Sequence, residues 1–429
     1  MIFPCRIRGC RNHVLVLRFA LLFAACFLAP VGEAMAQYAA GSTSEAGAAG
    51  GGRFTSEAGA AGGGRHVPLG ITAGVDLGYD DHVLGSNATT SASGQGSFSV
   101  RENLVLTYDR SSQGTDVHLT GVGSFTQFVN VGTNDKDVSL TLGFTHNFST
   151  RLSFRADLFT AYQTEPNFQS NVGPENVRAP HFYTDAIFSV TYRWLPRVST
   201  STSYTFRPVK YEQTTPTTTT IGLAQNRVEH TFAEGLHFSL TARTGLVVEY
   251  RYLIVDYDSA PRDSTTHFAL VGFDHHLTEH LQINVLGGSS FRSFKDDGNS
   301  IDPYAEVGIN YQGSNHSLNW LTTYGVEQPT QTLAMGTTTF RTGLNATYRL
   351  TSRLNARAAV YYYNSDNQGS SGTTSAGLQD GLQVTLGLNY TINKRWAVNA
   401  DYAYSAQFSS GATGGYSRNH YFAGVTYRY

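Results

Sequence analysis

The sequence has few charged residues, few cysteines and, beyond residue 36, no long apolar run. Charged side chains make up 14% of the 429 residues, and lysine occurs only at Lys136, Lys210, Lys295 and Lys394. The 30 basic and 32 acidic residues nearly balance, so the composition gives no reason to expect a nucleic-acid partner. A helical membrane span needs roughly 18 consecutive apolar residues, and no such run follows residue 36. The 25 Tyr, 25 Phe and 44 Gly instead suit alternating β-strands with small residues on one face.

Residues 1–36 are typical of a secretory signal peptide. Arginines at positions 6, 8 and 11 supply a basic leader, residues 19–29 an apolar core, and Ala34-Met35-Ala36 an A-x-A cleavage site. The alternative is a lipidated Cys26, although Phe23 suits a lipoprotein motif poorly. Cleavage after Ala36 would remove every cysteine, so the mature chain would have neither a disulfide nor a thiol ligand.

Residues 37–68 form a separate segment rich in glycine and alanine. The sequence Thr43–Arg53 recurs intact as Thr55–Arg65, a period of 12 residues. Such a composition cannot bury enough apolar surface to offset chain entropy, so a flexible periplasmic tether is predicted here. The expected organisation is a signal peptide at 1–36, this tether at 37–68 and a β-rich domain at 69–429.

From Leu69 onward the chain repeats one pattern, in which an alternating strand, a short turn with a basic residue and a new strand follow each other. The short turns recur at residues 148–152, 194–198, 277–281, 350–354 and 392–396. Longer polar connections lie between them, at Glu165–Pro180, Glu212–Asn226, Asn367–Gln379 and Ser409–Ser417. Short turns at one rim and long loops at the other are characteristic of outer-membrane barrels.

The strands themselves alternate between apolar and polar residues. From Leu382 to Thr391, apolar residues occupy every even position and small or polar residues every odd one. The sequence therefore predicts an all-β, transmembrane, antiparallel up-and-down β-barrel of about 18 strands, with 16 as the alternative count, short periplasmic turns and longer extracellular loops. We expect the last strand, Asn419–Tyr429, to pair with a first strand near Gly70–Asp80 and close the wall. A soluble secreted sandwich or solenoid is the alternative fold.

The chain resembles Gram-negative outer-membrane β-barrel proteins, specifically porin-like barrels often associated with exopolysaccharide export. In the last strand, Gly424, Tyr427 and Tyr429 match the assembly signal that the barrel-insertion machinery reads, whereas Phe422 stands where that signal usually has a polar residue. The resemblance covers residues 69–429. It implies a location in the cell outer membrane, with the lipid bilayer and the insertion machinery as partners. Components of a polysaccharide export system are a further partner class that the resemblance suggests.

Charged residues on the polar faces of the strands are the functional candidates. Opposed charges across a lumen would set a transverse field that filters small polar solutes. Alternatively, these residues only pair with one another, so that their charges are neutralised inside the barrel and play no part in selecting solutes. Because both signs occur, we expect weak ion selectivity. The candidate pore-lining residues are Arg155, Asp157, Glu249, Arg251, Arg341, Arg349, Arg357, Arg395 and Asp401.

The expected function is a passive, porin-like channel for small hydrophilic solutes, or a barrel component linked to polysaccharide export. Neither function needs a cofactor or a metal. One alternative is a structural or adhesive surface barrel with a blocked lumen. Another is an outer-membrane hydrolase, which would need a base held beside a nucleophile.

The residues that suggest other chemistry are few. His275 and His276 are adjacent, so on a strand they would point to opposite faces, and His280 falls in a short turn. Oxygen donors gather around a glycine, and a calcium-binding loop is an alternative interpretation of them, although their spacing does not match an EF-hand. No phosphate loop, zinc spacing or hydrolase elbow is present. The oxygen donors are Asp296, Asp297, Asn299 and Asp302.

Overall fold

The computed structural model of the chain describes ten ranges of residues. These are 69–83, 96–132, 134–164, 180–212, 225–258, 262–295, 298–329, 334–369, 377–409 and 416–429. The predicted signal peptide and tether lie outside them. Within these ranges, no helix has the length and apolar character needed to cross a membrane.

The described residues form 18 β-strands, which is the predicted number. Their alternation of apolar and polar residues lets each strand cover one face with apolar side chains and the other with polar ones. The strands are β1 Leu69–Asp80, β2 Ser97–Ser112, β3 Thr115–Phe128, β4 Asn134–Asn147, β5 Leu152–Gln163, β6 His181–Leu195, β7 Val198–Tyr211, β8 Arg227–Ser239, β9 Thr244–Tyr257, β10 Ser264–His276, β11 Leu281–Phe294, β12 Asn299–Gln312, β13 His316–Glu327, β14 Ala334–Arg349, β15 Leu354–Gly369, β16 Gly377–Thr391, β17 Trp396–Ser409 and β18 Tyr416–Arg428.

The strands form one closed antiparallel barrel. Each strand pairs with the next along the chain, and β1 also pairs with β18. In that closing seam Thr72 lies opposite Arg428 and Asp80 lies opposite His420. The predicted pairing of Asn419–Tyr429 with Gly70–Asp80 is therefore confirmed, and the wall has no free edge.

The connections define two rims. The short-turn rim carries the turns at 148–151, 196–197, 277–280, 350–353 and 392–395, as predicted, and the long-loop rim lies at the opposite strand ends. Gly114 adopts a positive φ of 76° in the turn between β2 and β3, a conformation that favours glycine. The strands reach further into the long connections than predicted. Asn367 and Gln379 belong to β15 and β16, so the connection between these strands spans only residues 370–376.

The two faces of the wall differ as the alternation predicts. Large apolar side chains such as Leu77, Val271 and Leu386 are exposed on the outward face. Tyr348, Trp194, Tyr390 and Trp396 also face outward near the short-turn rim, where interfacial aromatic residues are expected. The inward face carries most of the buried charged residues, and this face positions the candidate site.

Candidate functional site

The inward face changes character between the two rims. Near the short-turn rim, inward side chains such as those of Arg155 and Arg349 are exposed. Toward the long-loop rim, Arg227 and Arg292 are only 2% exposed and His181 is fully buried. The interior therefore consists of an accessible vestibule and a more tightly packed half.

Several inward charges pair with the residue two positions away on the same strand. Side chains alternate along a strand, so residues i and i+2 share a face. Charge-assisted hydrogen bonds of this kind are shorter and stronger than neutral ones. The three pairs are Arg155–Asp157 at 2.5 Å on β5, Arg227–Glu229 at 2.7 Å on β8, and Glu249–Arg251 on β9.

In the packed half, strands β6–β14 carry a set of inward charged residues, arranged in several bonded groups, that we call the charge belt. Five arginines and five carboxylates compose it, so it is formally neutral. Most of its members are buried, a situation that proteins tolerate only when charges are paired and hydrogen-bonded. The charge belt comprises Asp185, Arg207, Arg227, Glu229, Glu249, Arg251, Arg292, Glu306, Glu327 and Arg341.

Contacts between strands join members of the charge belt into groups. Arg207 donates to Asp185 of β6 at 2.5 Å and lies 3.7 Å from Glu229 of β8. Arg341 of β14 donates to both carboxylate oxygens of Glu327, at 3.0 and 2.7 Å. Glu327 also interacts electrostatically with Arg207, which lies six strands away around the wall. The close contacts thus join β6, β7 and β8 in one group and β13 and β14 in another.

The middle of the charge belt is held by one arginine. Arg251 pairs with Glu249 on its own strand and lies 3.4 Å from Glu306 on β12. The Tyr304 hydroxyl accepts from Arg251 and donates to Glu306, both at 3.0 Å. Two carboxylates thus share a single guanidinium, which makes this part of the belt locally acidic.

Arg292, two residues from the end of β11 at the long-loop rim, has different surroundings. Arg292 donates to Gln328 Oε1 at 2.8 Å, to the Glu327 carbonyl at 3.3 Å and to Ser264 Oγ at 3.3 and 3.4 Å. The Tyr257 hydroxyl also donates to Gln328, at 3.3 Å. Arg292 is therefore surrounded by neutral acceptors.

A second cluster of inward charges lies at the closing seam. Asp76 is fully buried and accepts hydrogen bonds from Arg101 at 3.1 Å and from Asn399 at 2.8 Å. Asp80, also fully buried, is held by Arg418 of β18 through both carboxylate oxygens. The first and last strands are thus joined by side chains as well as by the backbone.

Phe422, the one residue that departs from the expected assembly signal, faces inward beside this cluster. The Arg101 guanidinium carbon lies 3.5 Å from the centre of its ring, a cation–π contact. Gly78 of β1 provides the space for the ring, because a Cβ at that position would overlap it. An aromatic residue therefore fits this inward position because β1 and β2 are shaped for it.

The predicted assembly residues occupy the same seam. Gly424 packs against the backbone of β1 and the Asp76 carboxylate. Tyr427 faces outward, with its ring 4.9 Å from that of Trp396 in an edge-to-face arrangement. The Tyr429 backbone N–H donates to the Ile71 carbonyl at 2.9 Å.

The structure places the predicted pore-lining residues in three environments. Glu249, Arg251 and Arg341 belong to the charge belt, and Arg357 of β15 pairs with Asp401 of β17 beside the seam cluster. The vestibule near the short-turn rim contains the remaining residues on the inward face. These are Arg155, Asp157 and Arg349.

Arg395 is the exception, because it is not on a strand. It is exposed in the turn at 392–395, where its carbonyl accepts the Arg428 backbone N–H at 2.7 Å. Its odd position matches the inward set of β17, but that strand begins only at Trp396. Alternation alone cannot show where a strand begins.

Sequence reasoning missed seven of the ten members of the charge belt. Arg227 and Glu229 show the same i, i+2 spacing as Arg155 and Asp157, and that signal was available. The other missed members pair with residues on other strands or, in the case of Arg292, with no carboxylate among the described residues, so the sequence carries no short-range sign of their contacts. These members are Asp185, Arg207, Arg292, Glu306 and Glu327.

The residues considered for other chemistry are not assembled into a catalytic or metal site within the described ranges. His275 faces outward and shares a hydrogen bond with Thr244 at 2.9 Å, His276 lies at the short-turn rim, and His280 lies in a turn. No group of three or more His, Cys, Asp or Glu residues suited to a metal occurs there. Asp296 and Asp297 lie outside the described residues, whereas Asp302 lies in β12 and accepts from Ser300 at 2.8 Å.

Comparison with known proteins identifies one family. The family described as "Putative beta-barrel porin 2" matches residues 74–429, which include nearly the whole barrel. No curated protein matches the chain.

Several solved structures are similar to the chain at low identity. The outer-membrane protein OpdK from Pseudomonas aeruginosa is 10% identical with a TM-score of 0.40, over 84% of this chain and 99% of that one. OpdO from the same organism is 9% identical with a TM-score of 0.41, over 84% and 97%. OccAB4 from Acinetobacter baumannii is 8% identical with a TM-score of 0.40, over 85% and 99%.

Proposed function

The chain belongs to the beta-barrel porin 2 family, and from that premise we propose that it is a passive channel for small hydrophilic solutes. Its location is the Gram-negative outer membrane, where the apolar outward face meets lipid. A barrel of 18 strands is wide enough to enclose an aqueous channel. The observation that carries the proposal is the polar inward face, which runs from an accessible vestibule to the charge belt.

In this proposal the charged residues act as a filter. Paired arginines and carboxylates present both signs to a passing solute, so the charge belt orients dipolar molecules without strongly excluding either ion. The vestibule residues Arg155, Asp157 and Arg349 would meet the solute on the short-turn side. Arg357 and Asp401 would meet it beside the seam.

Single-channel recording tests the proposal directly. Folded, heat-modifiable protein in a planar bilayer should give discrete conductance steps in potassium chloride. Absence of steps from protein that is demonstrably folded would overturn the channel and leave a structural or adhesive barrel. The burial of the charge belt is the observation that favours that second candidate, because packed side chains narrow the lumen.

Ion preference tests the role of individual arginines. Arg349→Ala and Arg357→Ala should each shift the reversal potential in a salt gradient toward cations, because each removes an inward positive charge. Arg357→Ala should shift it more, since it also leaves the Asp401 carboxylate without this ion pair. Arg110→Ala is the control, because Arg110 faces outward on β2 and should leave the reversal potential unchanged. Equal shifts in all three variants would remove Arg349 and Arg357 from the conduction path.

The export-linked form of the proposal differs only in the cargo and the partner. Inward aromatic residues, among them Phe159, Tyr183 and Tyr211, form a buried cluster in the packed half, and a sugar ring could stack on their faces only after neighbouring side chains move aside. Neutral oligosaccharides should then reduce the ionic conductance in a concentration-dependent manner. Conductance that is insensitive to them would leave the small-solute channel and remove the export role.

We also propose that Gly424, Tyr427 and Tyr429 form the signal by which the insertion machinery recognises the barrel. Tyr427 and its neighbour Trp396 support this role, because they present aromatic rings on the outward face at the short-turn rim. Tyr429→Ala should lower the amount of assembled protein in cells without lowering the yield of refolding in detergent. Equal losses in both assays would indicate a role in stability alone.

A further inference from the structure

Arg292 differs from the other arginines of the charge belt, since each of those has a carboxylate partner. Among the described residues, Arg292 has none, although its side chain is almost completely buried. Glu229 and Asp302 act on it electrostatically from further away, and each is already bound, by Arg227 and by Ser300. A buried guanidinium without a close counter-ion is costly to a fold, so its positive charge remains available to a ligand.

A second, independent observation falls at the same place. Thr266 lies directly opposite Arg292 in the pairing of β10 and β11, and both side chains face inward. The Thr266 hydroxyl is buried, and within the described part of the chain it has no hydrogen-bond partner. Directly opposed residues of an antiparallel pair have Cβ atoms about 5 Å apart. An unused hydroxyl donor therefore lies beside a guanidinium that lacks a carboxylate.

We propose that Arg292 and Thr266 form an anion subsite that takes the carboxylate group of a small solute on its way through the lumen. The inference rests on the proposed channel function and names its substrate class. A carboxylate matches the fork of the guanidinium, and its second oxygen can accept from the Thr266 hydroxyl.

The present partners of Arg292 are replaceable. The side-chain oxygen of Gln328 and the carbonyl of Glu327 are neutral acceptors, and the contacts with Ser264 are long. Charge-assisted hydrogen bonds are roughly twice as strong as neutral ones, so a carboxylate competes well for the same N–H groups. Gln328 follows the end of β13 and is not itself part of a strand. We therefore expect an incoming carboxylate to displace the Gln328 side chain from Arg292.

The arrangement also gives the pathway a direction. Arg292 is two residues from the end of β11 at the long-loop rim, whereas Glu249 and Glu306 lie deeper. A carboxylate that enters from the long-loop side reaches Arg292 before it reaches Glu249 and Glu306. The carboxylates in the middle of the belt then repel the anion. This repulsion shortens the time that the anion stays at the subsite, because it weakens binding there.

Acetate and acetamide are the probes, because they have nearly the same shape and differ in charge. Binding to folded protein in detergent is measured by saturation-transfer NMR at constant chloride. Wild type should bind acetate and not acetamide, and Arg292→Gln should weaken acetate binding by about tenfold or more. Arg110→Gln, which removes an arginine from the outward face of β2, is the matched control and should bind acetate as wild type does.

Thr266→Val separates a ligand site from a structural role. Valine replaces the hydroxyl with a methyl group and leaves Arg292 in place. It should therefore weaken acetate binding several-fold while leaving the free energy of unfolding equal or higher, since a buried unsatisfied group disappears. If wild type binds both probes equally, or if neither variant alters acetate binding, the subsite is wrong.

The same protein preparations keep this inference distinct from the proposed channel. Potassium chloride conductance without selective acetate binding would overturn the subsite and leave the channel. Selective acetate binding without conductance would overturn the channel, and with it the subsite's role in passage. If Arg292→Gln does not fold, the probe comparison on wild type and the Thr266→Val result still decide the matter.

Discussion

At the scale of single residues, the wall depends on glycines that let two backbones approach each other. Gly272 on β10 lies against β11. A Cβ built at that position would be 2.7 Å from the Val285 carbonyl carbon and 2.8 Å from the Leu286 Cα. The obstacle is backbone, so no side-chain rotation can relieve it.

Gly272→Ala should therefore destabilise the barrel by about 2–3 kcal/mol, because β10 and β11 would have to separate. Unfolding in urea, followed by tryptophan fluorescence, measures the change. Gly123→Ala is the control, since nothing lies within 4 Å of a Cβ at that position, and its midpoint should stay close to that of wild type. Similar losses for both variants would show that glycine flexibility, and not the close approach, sets the effect.

At the scale of elements, the seam between β1 and β18 is reinforced more heavily than its backbone pairing requires. The fully buried Asp80 carboxylate holds Arg418 across the seam. Lys210 and Asp258 form an ion pair at the ends of β7 and β9, where the Asp258 carboxylate is half exposed. The two pairs contrast a buried contact with a solvated one.

Asp80→Asn should cost about 3 kcal/mol of unfolding free energy, since it removes one charge of a buried pair. Asp258→Asn should cost less than about 1 kcal/mol, because water screens an exposed pair. Urea unfolding of both variants in the same lipid vesicles gives the comparison. Equal costs would show that the seam contact is no stronger than a surface pair.

The elements themselves were predictable from the sequence. Alternation revealed the strands, and the short basic turns fixed where one strand ends and the next begins. The number of strands and the pairing of the last strand with the first followed from these two signals. The ends at the long-loop rim were placed less well, because Asn367 and Gln379 are polar residues and nevertheless continue β15 and β16.

The contacts of the candidate site were not predictable to the same degree. Alternation shows which face a residue occupies, as it did for Glu249 and Arg341. It does not show which residue on another strand lies opposite, because that depends on register. Arg207 and Asp185 meet only because β6 and β7 pair in one particular alignment, and Arg292 lacks a carboxylate for the same reason.

At the scale of the whole molecule, the charged side chains of the described strands lie mainly on the inward face. The charge belt and the seam cluster occupy different sectors of the wall, and arginines pair with carboxylates in both. Such pairing makes a barrel interior polar without giving it a large net charge, which is the basis for the expected weak ion selectivity. Local imbalances, such as that at Arg292, then matter more than the total.

Because the wall is closed, the strand with which the chain begins can be changed without changing which strands are neighbours in the barrel. The Tyr429 backbone N–H donates to the Ile71 carbonyl at the short-turn rim, so the first and last strands of the barrel end close together there. A short linker can therefore join β18 to β1. New termini can then be introduced in the turn at 240–243, between β8 and β9. This circular permutant should refold in detergent to the same wall, with the junction between β8 and β9 as its new seam. Matching heat-modifiability and circular dichroism would confirm it, and failure to refold would show that the original seam must form last.

In cells the same permutant should assemble poorly, because Gly424, Tyr427 and Tyr429 would no longer lie in its final strand. Closure of the barrel and recognition by the insertion machinery would then be two separate properties, although in this chain the same strand, β18, carries the residues for both.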